Sequence, residues 1–332
     1  MKLAVTRPVT ALLLWLLAAP LGMATAQPPQ KVPRVGYLSP FSPSDPLRQR
    51  RLEAFRQGLR ELGYVDGQNI AIESRWAEAQ YERYPALVAD LVRSKVDVIV
   101  AASGAATKAV QQTTRTIPIV MSLVNDPVGS GFVASLARPG GNVTGLTMMA
   151  PDLVSERLQL LKEVIPKVSR VAVLRNPGNP ASAAMLREAE AAARTLGVQL
   201  QTLEARNAQE IESAFATMIR ERTGAFLHLP DGLFFTQRRQ IAELAVKGRL
   251  PSISGGSDYP NAGGLMGYGP NNSDLERRAA TYVDRILKGA RPADLPVEQP
   301  TKFDLVINLR TAKAIGVTIP PSLLQRADQI ID

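Results

Sequence analysis

Six short polar turns, each following an apolar run, hold the residues of this chain best suited to chemistry. They are Ser39-Pro-Phe41-Ser42, Ala102-Ser103-Gly104, Val124-Asn125-Asp126, Arg175-Asn176-Pro-Gly178, Leu229-Pro-Asp231-Gly232 and Ser254-Gly-Gly256-Ser257-Asp258. Where such a turn leads into a helix, unpaired backbone N–H groups and the positive end of the helix dipole face outward and hold a carboxylate. Asp126 and Asp231 supply the opposite charge. Together the two features suit a zwitterion such as an amino acid. The candidate contacts are therefore Ser39, Phe41, Ser103, Gly104, Asn125, Asp126, Asn176, Asp231, Gly256 and Ser257. The same residue types are also the commonest helix N-caps, so each one reads equally as a cap.

The elements that must position these turns follow from periodicity. Val35 to Leu38 reads as a strand, and Leu52, Phe55, Leu59 and Leu62 then recur at helical spacing up to Gly63. Ile70 and Ile72 suggest a strand, Tyr84, Leu87, Val88, Leu91 and Val92 a helix, and Val96 to Ala101 and Ile117 to Val120 two buried strands. After Pro151 the cycle restarts with a helix bearing Leu153, Leu158, Leu161 and Ile165 and a strand at Val171 to Leu174. It continues through a helix at Met185 to Leu196, a strand at Val198 to Leu203, a helix at Ile211 to Ile219 and a strand at Ala225 to Leu229. Such alternation predicts parallel sheets with helices on both faces, and the restart predicts two of them. Ligands of open parallel sheets bind beyond the carboxyl ends of the strands, so two facing sheets would frame a cleft.

Other chemistries find no support. Gly267-Tyr268-Gly269 ends a glycine-rich strand with no dinucleotide-type continuation, and there is no Gly-Lys-Ser/Thr phosphate loop and no G-x-S-x-G turn. The one histidine, His228, is insufficient for a multi-histidine metal site and reads as a satisfied structural residue. Asn142-Val-Thr144 matches a glycosylation sequon but belongs to a glycine corner, where backbone geometry explains it. With no cysteine in 332 residues, disulfides, cysteine-ligated metals and a lipid on an N-terminal cysteine are all excluded. The formal charge of +9 raises nucleic-acid binding, yet Arg48, Arg51, Arg56 and Arg60 lie scattered on a helix without aromatic interleaving and read as solvated surface.

The first residues read as an export signal. Lys2 and Arg7 precede the apolar run Ala11 to Ala19, and Ala24-Thr-Ala26 presents small residues where a signal peptidase cuts. The run is shorter than the ~20 residues that cross a bilayer. Cleavage before Gln27 leaves roughly 300 residues, enough for two domains.

Four stretches resemble a known family: Asp126-Pro-Val128, LARPGGNVTG at 136–145, YPNAGGLMGYGP at 259–270 and LPVEQPTKFDLVINL at 295–309, continued by TAKAIG at 311–316. They are similar to the tryptophan/tyrosine-type extracytoplasmic solute-binding proteins of ABC importers, over essentially everything after the N-terminal segment. The resemblance implies an α/β, two-lobed periplasmic-binding-protein-like fold of type I, each lobe a parallel sheet flanked by helices, with a hinge. It implies a first lobe at 27–147 plus about 273–302 and a second at 148–272. Residues 303–332 would lie near the hinge or on the second lobe, and crossings near Met148 to Pro151 and Tyr268 to Asn272 would be the hinge. It further implies a monomeric periplasmic receptor, with no enzyme activity, cofactor or metal, that passes a small amino-acid-like solute to an inner-membrane ABC permease. It would bind neither nucleic acid nor, once cleaved, the membrane interior. An extracytoplasmic sensor partner and an exported enzyme are the alternatives. Protein recovered after export is expected to begin at Gln27, which N-terminal sequencing checks; an intact Met1 on a membrane-embedded chain would contradict the reading.

Overall fold

The computed structural model describes Met1 and residues 32–332 except Pro43, so the expected export signal and its cleavage point lie outside the described residues. Five strands, β1 (Arg34–Ser39), β2 (Ala71–Trp76), β3 (Val98–Ala101), β4 (Ile119–Val124) and β5 (Val143–Thr147), form a wholly parallel sheet in the order β2-β1-β3-β4-β5. Every residue of β3 and β4 is buried, as a sheet covered on both faces requires. One face carries α1 (Pro46–Glu61), through Leu52, Phe55 and Leu59, together with α10 (Asn272–Leu287), through Leu275, Ala279 and Val283. The other carries α2 (Tyr84–Arg93) and α3 (Gly104–Thr113). Asp45 starts α1 by accepting the Leu47 N–H at 2.8 Å, with Pro46 at the first helical position, where its missing N–H costs nothing.

The second sheet has seven strands in the order β12-β11-β10-β9-β8-β6-β7. They are β6 (Arg170–Arg175), β7 (Gln199–Glu204), β8 (Ala225–His228), β9 (Ser252–Ser254), β10 (Met266–Pro270), β11 (Phe303–Asn308) and β12 (Gln329–Ile331). On one face pack α4 (Val154–Val164), α5 (Ser182–Leu196), α11 (Leu309–Ile315) and α12 (Pro321–Arg326); on the other, α6 (Ala208–Arg220), the short α7 (Gly232–Thr236), α8 (Arg238–Lys247) and α9 (Asp258–Asn261). Two strands depart from the all-parallel expectation, β11 and, parallel to it, β12. β11 runs antiparallel to β10, with Pro270 opposite Phe303. The chain re-enters this sheet at the edge from which β10 left it, so its next strand must run back inward.

The chain passes between the sheets three times: after β5, at Asn271, and again at 299–302. Backbone bonds tie the first of these passages to the approach to the third. Met148 N donates to Val124 O at 2.7 Å, Thr147 N to Glu298 O at 3.0 Å and Glu298 N to Gly145 O at 3.0 Å. Buried Arg157 on α4 donates Nε to the Tyr268 carbonyl at 2.8 Å and Nη1 to Ala150 at 3.4 Å. Burial brings its guanidinium down to about 10.

His228 is buried as expected, but neither ring nitrogen has a hydrogen-bond partner. The ring instead packs edge-on against Phe234 and Tyr259, and burial followed by the Arg157 charge lowers it to about 3, so it is neutral. Asn142 does serve its corner, donating Nδ2 to Ile117 O at 2.8 Å. Helices α1 and α10 meet at Gly58, where a methyl group would stand 2.1 Å from the Arg277 carbonyl oxygen and 2.9 Å from Ala280 Cβ. Although alanine is the better helix former, Gly58→Ala is expected to lower stability by about 1 to 3 kcal/mol by forcing the helices apart. Urea unfolding checks this, and an unchanged midpoint would show that the contact relaxes freely.

Candidate functional site

The carboxyl ends of β1, β3 and β4 face those of β6, β8 and β9. At the centre is Asp231, which follows β8 and caps α7 by accepting the Leu233 N–H at 2.9 Å. Asn176, after β6, donates to its Oδ1 at 3.0 Å, and the Tyr81 hydroxyl donates to Oδ2 at 2.7 Å from the opposite lobe. Burial pushes the Asp231 carboxyl up, against the opposing pull of Tyr81, Asn176, Leu233 and Asn179. Burial also raises the Tyr81 phenol well above its ordinary value, and the Asp231 charge adds to this, so Tyr81 remains a donor. Next to Asp231, the Pro230 carbonyl accepts from Asn125 Nδ2 of the first lobe at 2.8 Å and from Asn179 Nδ2 at 3.0 Å.

Facing this carboxylate is the start of α3. Ser103 caps it, accepting the Ala106 N–H at 3.1 Å and meeting the Tyr84 hydroxyl at 3.2 Å. Gly104 and Ala105 contribute first-turn N–H groups, which have no partner within a helix. These residues, with Phe235 of α7, enclose a cavity of about 10 Å³, roughly one water molecule's worth, so the lobes stand closed. Beside it, a cavity of about 270 Å³ opens at the crossings, lined by Asp126, Pro127, Val128, Leu136, Met149 and Asp152 among others, with Asn125 shared between the two.

Of the ten residues read from the sequence, the structure brings Ser103, Gly104, Asn125 and Asp231 to the central cavity, with Asn176 behind Asp231. Asp126 folds back on its own turn, accepting the Gly129 N–H at 2.8 Å, and faces the neighbouring cavity. Ser39 and Phe41 are buried at the end of β1 and do not line the central cavity, and the Ser39 hydroxyl has no partner. Gly256 lies by Pro270 and Asn272, and Ser257 begins α9. Tyr81, Asn179 and Phe235 complete the cavity without having been read from the sequence. Tyr81 belongs to a single 3₁₀ turn placed by two left-handed residues, Glu78 (φ 55°) and Ala79 (φ 60°), a local device with no periodic signal.

Two ion pairs of opposite sense also join the lobes. Asp45 and Arg238 form a bidentate pair at 2.6 and 2.9 Å, their side chains 9% and 6% exposed. Arg51 pairs with Asp258, side chains 3% and 10% exposed. The reading of Arg51 as solvated surface is thus corrected: a helix face that looks exposed in sequence lies against the second lobe. Burial alone would raise the Asp45 carboxyl, but the Arg238 guanidinium, the Leu47 N–H and the charge of Arg239 outweigh it and hold the carboxyl below its ordinary value.

A family model described as ABC transporter substrate binding protein matches residues 43–331. The chain belongs to this family. Among its relatives is a tyrosine-binding protein of Clostridioides difficile (strain R20291), 26% identical over 273 residues, which span 82% of this chain and 78% of that protein. Two solved structures share its type I periplasmic-binding fold. A conserved domain protein from Vibrio cholerae has a TM-score of 0.85 at 27% identity, covering 90% of this chain and all of that one. An ABC domain in complex with L-Trp from Streptococcus pneumonia has 0.83 at 26%, covering 90% and 99%. These relatives are members of a binding-protein family, and the expected fold and family are both borne out.

In a substrate-binding protein the interlobe ion pairs have a testable role. Removing one partner of a buried pair costs about 3 to 5 kcal/mol when the other charge stays buried. If the lobes part, water can reach the charge left behind and that cost falls. Asp45→Asn and Arg238→Gln are therefore expected to enlarge the radius of gyration in solution scattering while costing less stability than that. Because the Asp45 value is depressed, its contribution is present above the ordinary carboxylate range and lost as pH falls below about 4, so acid should reproduce the enlargement. An unchanged radius in both variants would show that the pair does not hold the lobes.

Proposed function

We propose that this protein is the extracytoplasmic solute-binding component of an ABC importer, capturing an amino acid, aromatic by preference, between its lobes and delivering it to an inner-membrane permease. The observation that carries the reading is Asp231, a buried carboxylate at the closing point of both lobes, set opposite the first turn of α3. The cavity at Asp231, about 10 Å³ here, must widen to admit a ligand; its ammonium would then hold this carboxyl ionised despite its burial, and the N–H groups of Gly104 and Ala105 would take the ligand carboxylate. Tyr81 and Phe235 supply aromatic surface for the side chain. Relatives that bind tyrosine and L-Trp support this ligand class.

We take the first lobe as β1 to β5 with α10, the second as β6 to β12, and the three crossings as the hinge. Ligand contacts made to both lobes at once favour the closed form, which is what a permease would read. No helix among the described residues is long and apolar enough to cross a membrane, and the N-terminal sequence supports export.

L-tryptophan and L-tyrosine are expected to raise the melting temperature and to bind in calorimetric titration. Asp231→Asn keeps the side chain's shape but removes its charge, so affinity should fall roughly ten- to a hundredfold. Asp126→Ala should leave affinity unchanged and cost about 1 kcal/mol of stability through its lost turn cap. Wild-type affinity in Asp231→Asn would remove the ammonium site.

A further inference from the structure

Arg51, near the start of α1, lies between two carboxylates that belong to different lobes. Its guanidinium pairs with Asp258 of α9 across the interface, and its charge also faces Glu276 of α10 within its own lobe. Glu276 is 0% exposed, and neither of its oxygens has a hydrogen-bond partner in ordinary geometry. Around it stand the hydroxyls of Tyr37 on β1 and Ser122 on β4, near enough to act on its carboxyl but outside ordinary hydrogen-bond geometry. Arg51 Nε is unpartnered too, while its Nη1 reaches Ser273 Oγ at 3.4 Å. Asn272 donates to Asp258 at 3.2 Å and keeps its own oxygen unbonded. A set of buried polar groups this poorly satisfied is a poor structural solution for one fixed state.

We propose that closure of the lobes is coupled to proton uptake by Glu276, with Arg51 exchanged between Asp258 when the lobes are together and Glu276 when they part. The proposal rests on the clamp reading given above. Parting the lobes withdraws Asp258, leaves the Arg51 charge to Glu276 alone, and admits water beside Asn272 and Ser273. Each change favours the carboxylate. Closing reverses them, and in the closed structure burial outweighs Arg51, Ser122 and Tyr37 and pushes the Glu276 carboxyl up to about 7. The charged and titratable groups facing it are Arg51 from α1, Tyr37 from β1 and, beyond Arg51, Asp258 from α9; β4 contributes the Ser122 hydroxyl. Because the closed form holds this proton more tightly, closure is favoured below the closed-state value and that advantage is lost as pH rises through about 7. The closed-to-open ratio changes at most about tenfold per pH unit for one such proton.

The cysteine-free chain accepts a dye pair cleanly at exposed positions, one in each lobe: Gln112→Cys on α3 and Arg187→Cys on α5. Energy transfer is then followed from pH 8.5 to 5.5 without amino acid. The closed population should rise several-fold as pH falls, the curve should be flat in Glu276→Gln, and it should be much shallower in Asp258→Asn, where Arg51 faces Glu276 in both states. No pH response in the wild type, or an unaltered one in Glu276→Gln, overturns the proposal; if that variant does not fold, an unaltered response in Asp258→Asn does so instead. Adding L-tryptophan separates the two readings. Closure by L-tryptophan of equal extent at every pH overturns the coupling and keeps the amino-acid reading. A proton-driven shift with no response to L-tryptophan or L-tyrosine supports the coupling and removes that reading.

Discussion

A parallel strand cannot turn directly into its neighbour: the chain must leave from the carboxyl end, cross over a helix and return to the same starting edge. This constraint gathers all the departing turns of a sheet on one side. The first sheet and the parallel strands β6 to β10 of the second obey it, so the turns after β1, β3 and β4 meet those after β6, β8 and β9 across one gap. Asp231, Ser103 and Asn125 come from segments far apart in sequence, yet they line a single cavity because each follows a strand of the same sense.

The side-chain contacts that join the lobes include several polar ones. Tyr81 to Asp231, Asn125 to Pro230, Asp45 to Arg238 and Arg51 to Asp258 all join first-lobe to second-lobe groups. Each of these groups is well hydrated when exposed, so the faces gain water contacts when separated and need no permanent partner. An apolar seam of the same extent would hold the lobes shut. Helix α1 is central to this arrangement, since its cap Asp45 and its Arg51 carry opposite charges to two different helices of the second lobe.

Much of the fold was legible because its helices and strands have long apolar periods. Those signals are strong in α1, α4, α6 and α10 and in the buried runs of β1, β4, β6 and β8. Helix α3, Gly104–Thr113, carries small and polar residues and shows little stripe, so only its cap was visible in the sequence. Strand β9 has three residues, too few for any period. The site was half legible. Asp126 and Asp231 have identical signatures, an acidic residue after an apolar strand, and differ only in whether the next residues form a helix or a tight turn onto Gly129. Tyr81, Phe235 and the pairing of Arg51 with Asp258 depend on the approach of two separately folded surfaces, which leaves no mark on local sequence.

The antiparallel strand β11 sets the order in which the molecule becomes complete. Synthesis delivers β1 to β5 first, but one face of that sheet, partly covered by α1, has to wait for α10, more than a hundred residues later. The second sheet in turn lacks β11 and β12 until the last thirty or so residues arrive. A partial chain would therefore expose the part of that face not covered by α1 and an unpaired edge at β10, both hazards for association with other chains. A truncation before Phe303 would leave the second sheet without its last two strands, β11 and β12, and β10 as its open edge.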